Sequence, residues 1–182
     1  KGSCGSLHRL NPLPEKISIT TPLPGVVQKN QSFYWQSSLS MHDKTYITAG
    51  IRTDQIYFNG QNLTTSSQLN KNQRENSYEL GIKQLLDEKW SIYARVGKSA
   101  RFGNVDEQIG AFGSITDLKP QIAQTREIGL GYSSKIIENN ISLFHQDLTD
   151  EIRYNPISGA NENLDNTRRN GIEVSTSISI NE

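Results

Sequence analysis

The stretch "GIEVSTSISI", Gly171 to Ile180, places Ile172, Val174, Ile178 and Ile180 on one phase of a two-residue period, with Thr176 between them. Glu173, Ser175, Ser177 and Ser179 occupy the other phase. Successive side chains on a strand point to opposite faces, so this is a strand with one apolar and one polar face. Two environments produce such a pattern. In a water-soluble sheet the apolar face meets a protein core and the polar face meets water. In a membrane barrel the apolar face meets lipid and the polar face meets a wet or plugged lumen.

Working outward, six further segments read as strands: Gln31–Met41, Thr45–Phe58, Asn76–Leu85, Lys89–Lys98, Ile122–Ser133 and Asn140–Thr149. Ile47, Ala49 and Ile51 oppose Thr48, Gly50 and Arg52, and Tyr78, Leu80 and Ile82 oppose Glu79, Gly81 and Lys83. Trp90, Ile92, Ala94 and Val96 alternate with Ser91, Tyr93, Arg95 and Gly97; Ile128, Leu130 and Tyr132 alternate with Glu127, Gly129 and Gly131. No segment shows a helical period.

The connections alternate in length. His42–Lys44 and Leu86–Glu88 are hairpin-sized, and Ser134–Asn139 is slightly longer. Between them lie long polar stretches, Asn59–Glu75, Ser99–Gln121 and Asp150–Arg168. Loops of such length are uncommon in compact soluble domains. Short turns at one end and long loops at the other suit an outer-membrane barrel. Residues 1–30, with most of the prolines, read as an irregular segment before a β-domain spanning 31–182; Lys16–Thr20 is a candidate short strand within it.

Totals narrow the function classes. The 182 residues carry 19 basic and 19 acidic side chains, so no net charge points to nucleic acid. Hydrophobic residues make up 34%, thin for a soluble core of this size. No run is long and apolar enough for a membrane helix, which leaves a barrel open because its strands alternate. The single cysteine, Cys4, excludes an internal disulfide.

Most apparent chemical motifs have a plain reading. "VGKSARFG" contains Gly97-Lys98-Ser99, but Ile92 stands where a phosphate-binding loop needs its first glycine, and no helix follows. His8, His42 and His145 are scattered; His145 with Asp147 is a conceivable metal pair without zinc-site spacing. Asp147, Asp150 and Glu151 mark a loop base where they would pair with Arg153 or hold a cation. No metal site, cofactor or catalytic set emerges, and an enzyme is not expected.

Several phrases resemble the C-terminal half of TonB-dependent outer-membrane receptors, transporters of ferric siderophores and cobalamin. They are "YITAGIRTD" (Tyr46–Asp54), "SIYARVGKSARFGN" (Ser91–Asn104), "LKPQIAQTREIGLGY" (Leu118–Tyr132) and "ISLFHQDLTDEIRY" followed by "NTRRNGIEVS", in the family's order. The resemblance implies an all-β, antiparallel up-and-down meander forming part of a transmembrane barrel in the bacterial outer membrane. About seven strands are too few to close the family's 22-stranded barrel, nothing reads as its plug, and the chain ends at "INE" without a final aromatic residue. A partial barrel is therefore expected. Its implied partners are outer-membrane lipid, an iron chelate or similar ligand, and the TonB complex acting through a plug absent from this chain.

On that reading Arg52, Glu79, Lys83, Arg95, Glu127 and Glu173 face the lumen, and Trp35, Tyr46, Tyr57, Phe58, Tyr78, Trp90 and Tyr132 are aromatic-girdle candidates. Arg101, Phe102, Tyr154, Arg168 and Arg169 are the loop candidates for ligand contact. A soluble all-β ligand-binding module and a small stand-alone structural or adhesion barrel remain alternatives. The strand phase puts Leu130 towards lipid and Gly129 towards the lumen, so Leu130→Arg should block membrane assembly while Gly129→Ser is better tolerated. Midplane arginine on a lipid face costs about 2–4 kcal/mol. Membrane fractionation of both variants checks the facing.

Overall fold

In the computed structural model, which describes residues 26–61, 68–109 and 115–179, a seven-stranded antiparallel sheet dominates. Its strands are β1 (Val26–His42), β2 (Thr45–Gln61), β3 (Gln68–Leu85), β4 (Trp90–Arg101), β5 (Gln121–Ser133), β6 (Ile137–Thr149) and β9 (Thr167–Ile178), adjacent in that order. A one-turn helix α1 (Val105–Gln108) lies between β4 and β5. A two-stranded hairpin, β7 (Ile152–Asn155) and β8 (Ala160–Asn163), lies between β6 and β9. Lys16–Thr20, Cys4 and His8 fall outside the described residues.

Tight connections follow from local chemistry. At the β3–β4 turn the Asp87 carboxylate accepts the backbone N–H groups of Lys89 and Trp90, both at 2.7 Å. These bonds hold its pKa below the usual carboxylate value, the Lys89 N–H contributing most. Ser134 Oγ accepts the Ile137 N–H at 3.0 Å, which starts β6 three residues earlier than the sequence reading placed it.

Register aligns the apolar phase of every strand. Leu39, Ile47, Ile82, Ala94, Ile128, Leu143 and Ile172 form one continuous row across the sheet. The next row towards the short turns contains Ile92, Leu130, Ile141 and Val174. These side chains stay open: Leu39 is 53% exposed, Ile128 50%, Leu143 53% and Ile172 69%. No protein layer covers this face among the described residues. A contiguous apolar surface of this extent is foreign to monomeric soluble proteins.

The apolar band also slants. From β2 to β9 its upper limit moves from the row of Ile51 to the row of Ile172, two rows along, and its lower limit from Ile47 to Ile178, three rows along. With about 6.7 Å per two-residue row and about 4.8 Å per strand step, that slope is about 30–40°. Barrel strands tilt by about this much when a sheet closes. Aromatic side chains mark the band's corners. Trp35 and Tyr78 flank Ile51 at the upper limit, and Trp90 meets Tyr132 at the lower limit with ring centroids 4.9 Å apart. Tyr46 and Phe58 belong to the opposite phase, so they leave the girdle set; Phe58 is 1% exposed in the core.

The polar phase makes its own contacts. Glu127 accepts Tyr93 Oη–H at 2.6 Å and Arg95 Nη2–H at 2.5 Å, while Asn140 Nδ2 donates to Tyr93 Oη at 3.1 Å. The anchored Tyr93 ring lies across Gly129, where a Cβ would sit 2.3 Å from Tyr93 Cε1. Phe144 covers Gly171 in the same way, with a Cβ 2.5 Å from its ring. These glycines are spaces for neighbouring rings, so Gly129 is not the tolerant position expected from its phase alone.

Gly129→Ser should displace Tyr93, break its bonds to Glu127 and Asn140, and destabilise the sheet by about 1–3 kcal/mol. Tyr93→Ala removes the ring, so Gly129→Ser should cost little in that background. Unfolding of the single and double variants in lipid measures the coupling; strictly additive effects would overturn the ring-over-glycine account.

Candidate functional site

Beyond Trp35 and Tyr78, β1, β2 and β3 run on past the apolar band. There the hydrophobic phase changes parity. Ile47, Ala49 and Ile51 share one face of β2, but Ile56 and Phe58 lie on the other, while the β2–β3 register runs unbroken from Thr45 to Gln61. The switch is therefore chemical and not a bulge. Asn59–Glu75, expected as a long loop, is largely strand, and only residues 62–67 lie between β2 and β3.

The switched residues build the described core. Val26, Ile56, Phe58, Leu69 and Val105 are buried together, with Phe102, Ile109 and Ile115 packed against them. The β4–β5 connection thus folds over the polar-phase face of the strand extensions. Burying a side chain such as Phe58 or Leu69 contributes about 1.5–3 kcal/mol.

Polar contacts fasten this connection on two sides. From β3, Lys71 Nζ reaches Asp117 Oδ1 at 2.6 Å and the Leu118 carbonyl at 2.5 Å, and Gln73 Nε2 donates to the same carbonyl at 2.8 Å. Lys71 draws the Asp117 pKa below the usual carboxylate value. From β8, Asn163 Oδ1 accepts the Lys119 N–H at 2.8 Å; its Nδ2 donates to the carbonyls of Lys119 at 3.0 Å and Asp150 at 2.8 Å. Asn161 Nδ2 donates to the Glu107 carbonyl at 3.3 Å. Gln108 is fully buried, yet neither amide atom has a hydrogen-bond partner, an unfavourable feature worth about 1–3 kcal/mol.

Beneath this cover lies an open cleft of about 400 Å³, lined by Asn30, Ser32, Arg52, Asp54, Phe102 and Asn104 among others. Arg52 and Asp54 form an ion pair at 2.7 Å, and Ser32 Oγ donates to Asp54 at 2.5 Å. The Arg52 side chain remains 57% exposed, so the ion pair is open to the cleft.

The loop candidates do not form one cluster. Arg101 is bonded to Glu107, whose other oxygen accepts the Asn104 N–H at 2.8 Å at the start of α1. Phe102 lines the cleft and packs on the core. Tyr154 is 55% exposed on the β7–β8 hairpin. Arg168 and Arg169 are adjacent on β9 and therefore on opposite faces: Arg168 bonds Asp147, and Arg169 bonds Glu151. Arg52, Glu79, Lys83, Arg95, Glu127 and Glu173 share the polar phase. Arg95 bridges Glu127 and, at 3.9 Å, Glu79. Among the described residues no group of three or more His, Cys, Asp and Glu lies together. His145 is engaged at both ring nitrogens, by Asn170 at 2.6 Å and Asp147 at 3.0 Å. Ile56, Leu69, Lys71, Gln73 and Asn163 were not among the expected site residues, and Phe58 was expected in the girdle rather than the core. The parity change between Ile51 and Ile56 was the available signal for Ile56, Phe58 and Leu69.

The family model described as "TonB dependent receptor-like, beta-barrel" matches residues 6–181. Among solved structures, copper transporter OprC superposes with a TM-score of 0.70 at 17% identity, over 86% of this chain and 27% of that one. The FrpB iron transporter from Neisseria meningitidis gives 0.67 at 20% identity, over 85% and 23%. The alcaligin outer-membrane receptor FauA from Bordetella pertussis gives 0.65 at 16% identity, over 85% and 28%. The chain thus spans about a quarter of the length of these structures. No curated protein matches.

Two outcomes test the loop anchoring. Phe58→Ala should destabilise the strand extensions by about 3–5 kcal/mol and leave membrane insertion intact, read as faster amide exchange in β1–β3 beyond Trp35 with unchanged fractionation. Asp117→Asn should raise amide exchange around 116–120 by less than about five-fold, because the carboxylate is exposed. A depressed carboxylate pKa stabilises above its unfolded value and ceases to do so as pH falls through the lowered folded value. Acid should therefore release this contact only below the ordinary carboxylate range, and the Asn variant should not respond there.

Proposed function

Because the chain belongs to the TonB-dependent receptor β-barrel family, we propose that it forms part of the wall of a bacterial outer-membrane active transporter and is not an enzyme. The observation that carries this reading is the exposed apolar band, slanted across a sheet whose hydrophobic phase inverts where the strands leave the band. A soluble module would need a second layer over that face.

In this reading the polar phase, with Arg52, Glu79, Lys83, Arg95, Glu127 and Glu173, faces the lumen and the polar surface of a plug domain. Arg95 and Glu127 are matched within the sheet, whereas Lys83 and Glu173 form no ion pair among the described residues and remain for a partner. The cleft under the β4–β5 connection and the exposed hairpin residue Tyr154 face the incoming ligand. An anionic metal chelate suits Arg52 by charge and Tyr154 by stacking. Names of related structures include copper, iron and alcaligin, and an iron–siderophore complex or similar large chelate is the proposed cargo. Energy would arrive from the TonB complex through the plug.

The intact protein carrying this sequence should fractionate with the outer membrane and support chelate uptake only when TonB is present. Uptake from a panel of ferric and cupric chelates in cells with and without TonB checks this. Tyr154→Ala should weaken half-saturation about five- to ten-fold without changing the amount assembled. A folded, monodisperse protein in detergent-free buffer would refute the membrane assignment.

A further inference from the structure

The girdle at the upper limit of the apolar band is uneven. On β1 that limit carries Trp35 with Phe33 one row beyond it, and on β3 it carries Tyr78. On β5, β6 and β9 the unbroken apolar run ends at Ile128, Leu143 and Ile172; beyond it on that phase only Ile122, at the start of β5, is apolar, and no aromatic follows. The next row up holds Arg126, His145 and Asn170, and the row above it Gln124, Asp147 and Arg168. All six continue the apolar phase, so they point away from the polar-phase network and the loop cleft.

These side chains are organised. Asp147 sits between Arg168 and His145, accepting Arg168 Nε–H at 2.9 Å and contacting His145 Nε2 at 3.0 Å. His145 Nδ1 is fixed by Asn170 Oδ1 at 2.6 Å. Arg126 stands directly opposite His145 in the ladder, is exposed, and has no ion-pair partner among the described residues. The Arg168 side chain is 68% exposed, leaving guanidinium donors beyond the one given to Asp147. Two arginines against one carboxylate leave the patch cationic.

We propose that this patch is a binding site for the phosphate of an anionic lipid headgroup, with the lipid's acyl chains lying on Ile128, Leu143 and Ile172. The inference rests on the membrane reading above. Depth argues for lipid as the occupant: the cations lie one and two rows, about 7 and 13 Å along the strand, beyond the last apolar row. That is headgroup level for a chain packed on the band, where basic side chains attract anionic lipid. Arginine suits the role because its planar fork bonds two phosphate oxygens at once. Asp147 acts as a positioning residue, holding Arg168 and His145 on the same side of the sheet.

The test uses the intact receptor in vesicles and needs no variant to fold. Arginine modification by phenylglyoxal, read peptide by peptide, is compared in phosphatidylcholine vesicles and in vesicles containing phosphatidylglycerol. Arg126 and Arg168 should be protected at least three-fold more in the anionic vesicles, with Arg153 in the β7–β8 hairpin unchanged. Free inorganic phosphate at the same headgroup concentration should protect less than half as well. Equal protection by free phosphate would overturn the lipid assignment, and equal modification in both vesicle types would overturn the site. As a second readout, Arg126→Gln with Arg168→Gln should retain at least three-fold less anionic lipid after detergent extraction. An assembled double variant that retains as much lipid as the parent refutes the inference alone. Failure of the parent to enter membranes refutes the transporter reading instead.

Discussion

The central constraint is backbone pairing beside an apolar medium. Where hydrocarbon covers one face of a sheet, an unpaired N–H or C=O costs several kcal/mol, so strands must remain in register through the band. The sheet obeys this closely. β2 and β3 pair without interruption, and the one irregularity in β1 falls between Ser40 and His42, next to a turn. With pairing fixed, each side chain's face is fixed as well, and everything else in the molecule follows from which medium each face meets.

Below the parity change the two faces follow opposite rules. Towards lipid, side chains are apolar and make few contacts with one another; their stabilisation comes from the medium. On the polar phase, charges are matched in place. Glu127 serves Tyr93 and Arg95 together, and glycines admit the rings of Tyr93 and Phe144. Above the change Val26, Ile56, Phe58 and Leu69 turn inward, where they hold the β4–β5 connection, while Phe33 and Tyr57 stay on the outer phase. Asn163 extends that hold to the next connection by mimicking a strand partner for Lys119. The cleft under the β4–β5 connection is therefore built beside a small hydrophobic core resting on a membrane wall.

The seven strands were legible in the sequence because lipid on one side forces strict alternation, as in Trp90–Val96 and Gly171–Ile180. The first half of β3, Gln68–Glu75, was not legible as strand. It lies above the band, where Asn70, Asn72 and Arg74 on one face and Lys71, Gln73 and Glu75 on the other both suit an aqueous setting. The β7–β8 hairpin was missed although "NPISGA" carries turn chemistry: Asn155 Oδ1 accepts the Ile157 N–H at 2.9 Å, and Gly159 takes a positive φ of 66°. α1 is a single turn, too short to show a period. Of the loop candidates, Phe102 and Tyr154 were placed by residue type alone, and the separation of Arg168 from Arg169 required only strand parity.

By itself the sequence determined the strand phases, the turn and loop ends, and the family resemblance, since these depend on local alternation and on order along the chain. Tertiary structure decided what alternation cannot carry. Cross-strand register turned separate apolar phases into one slanted band, and so gave the strand tilt. Long-range approach put Tyr93 over Gly129, brought Lys71 and Asn163 to opposite sides of one connection, and made Phe58 a core residue. Such contacts join residues tens of positions apart, and only the pairing of whole strands sets which of them meet.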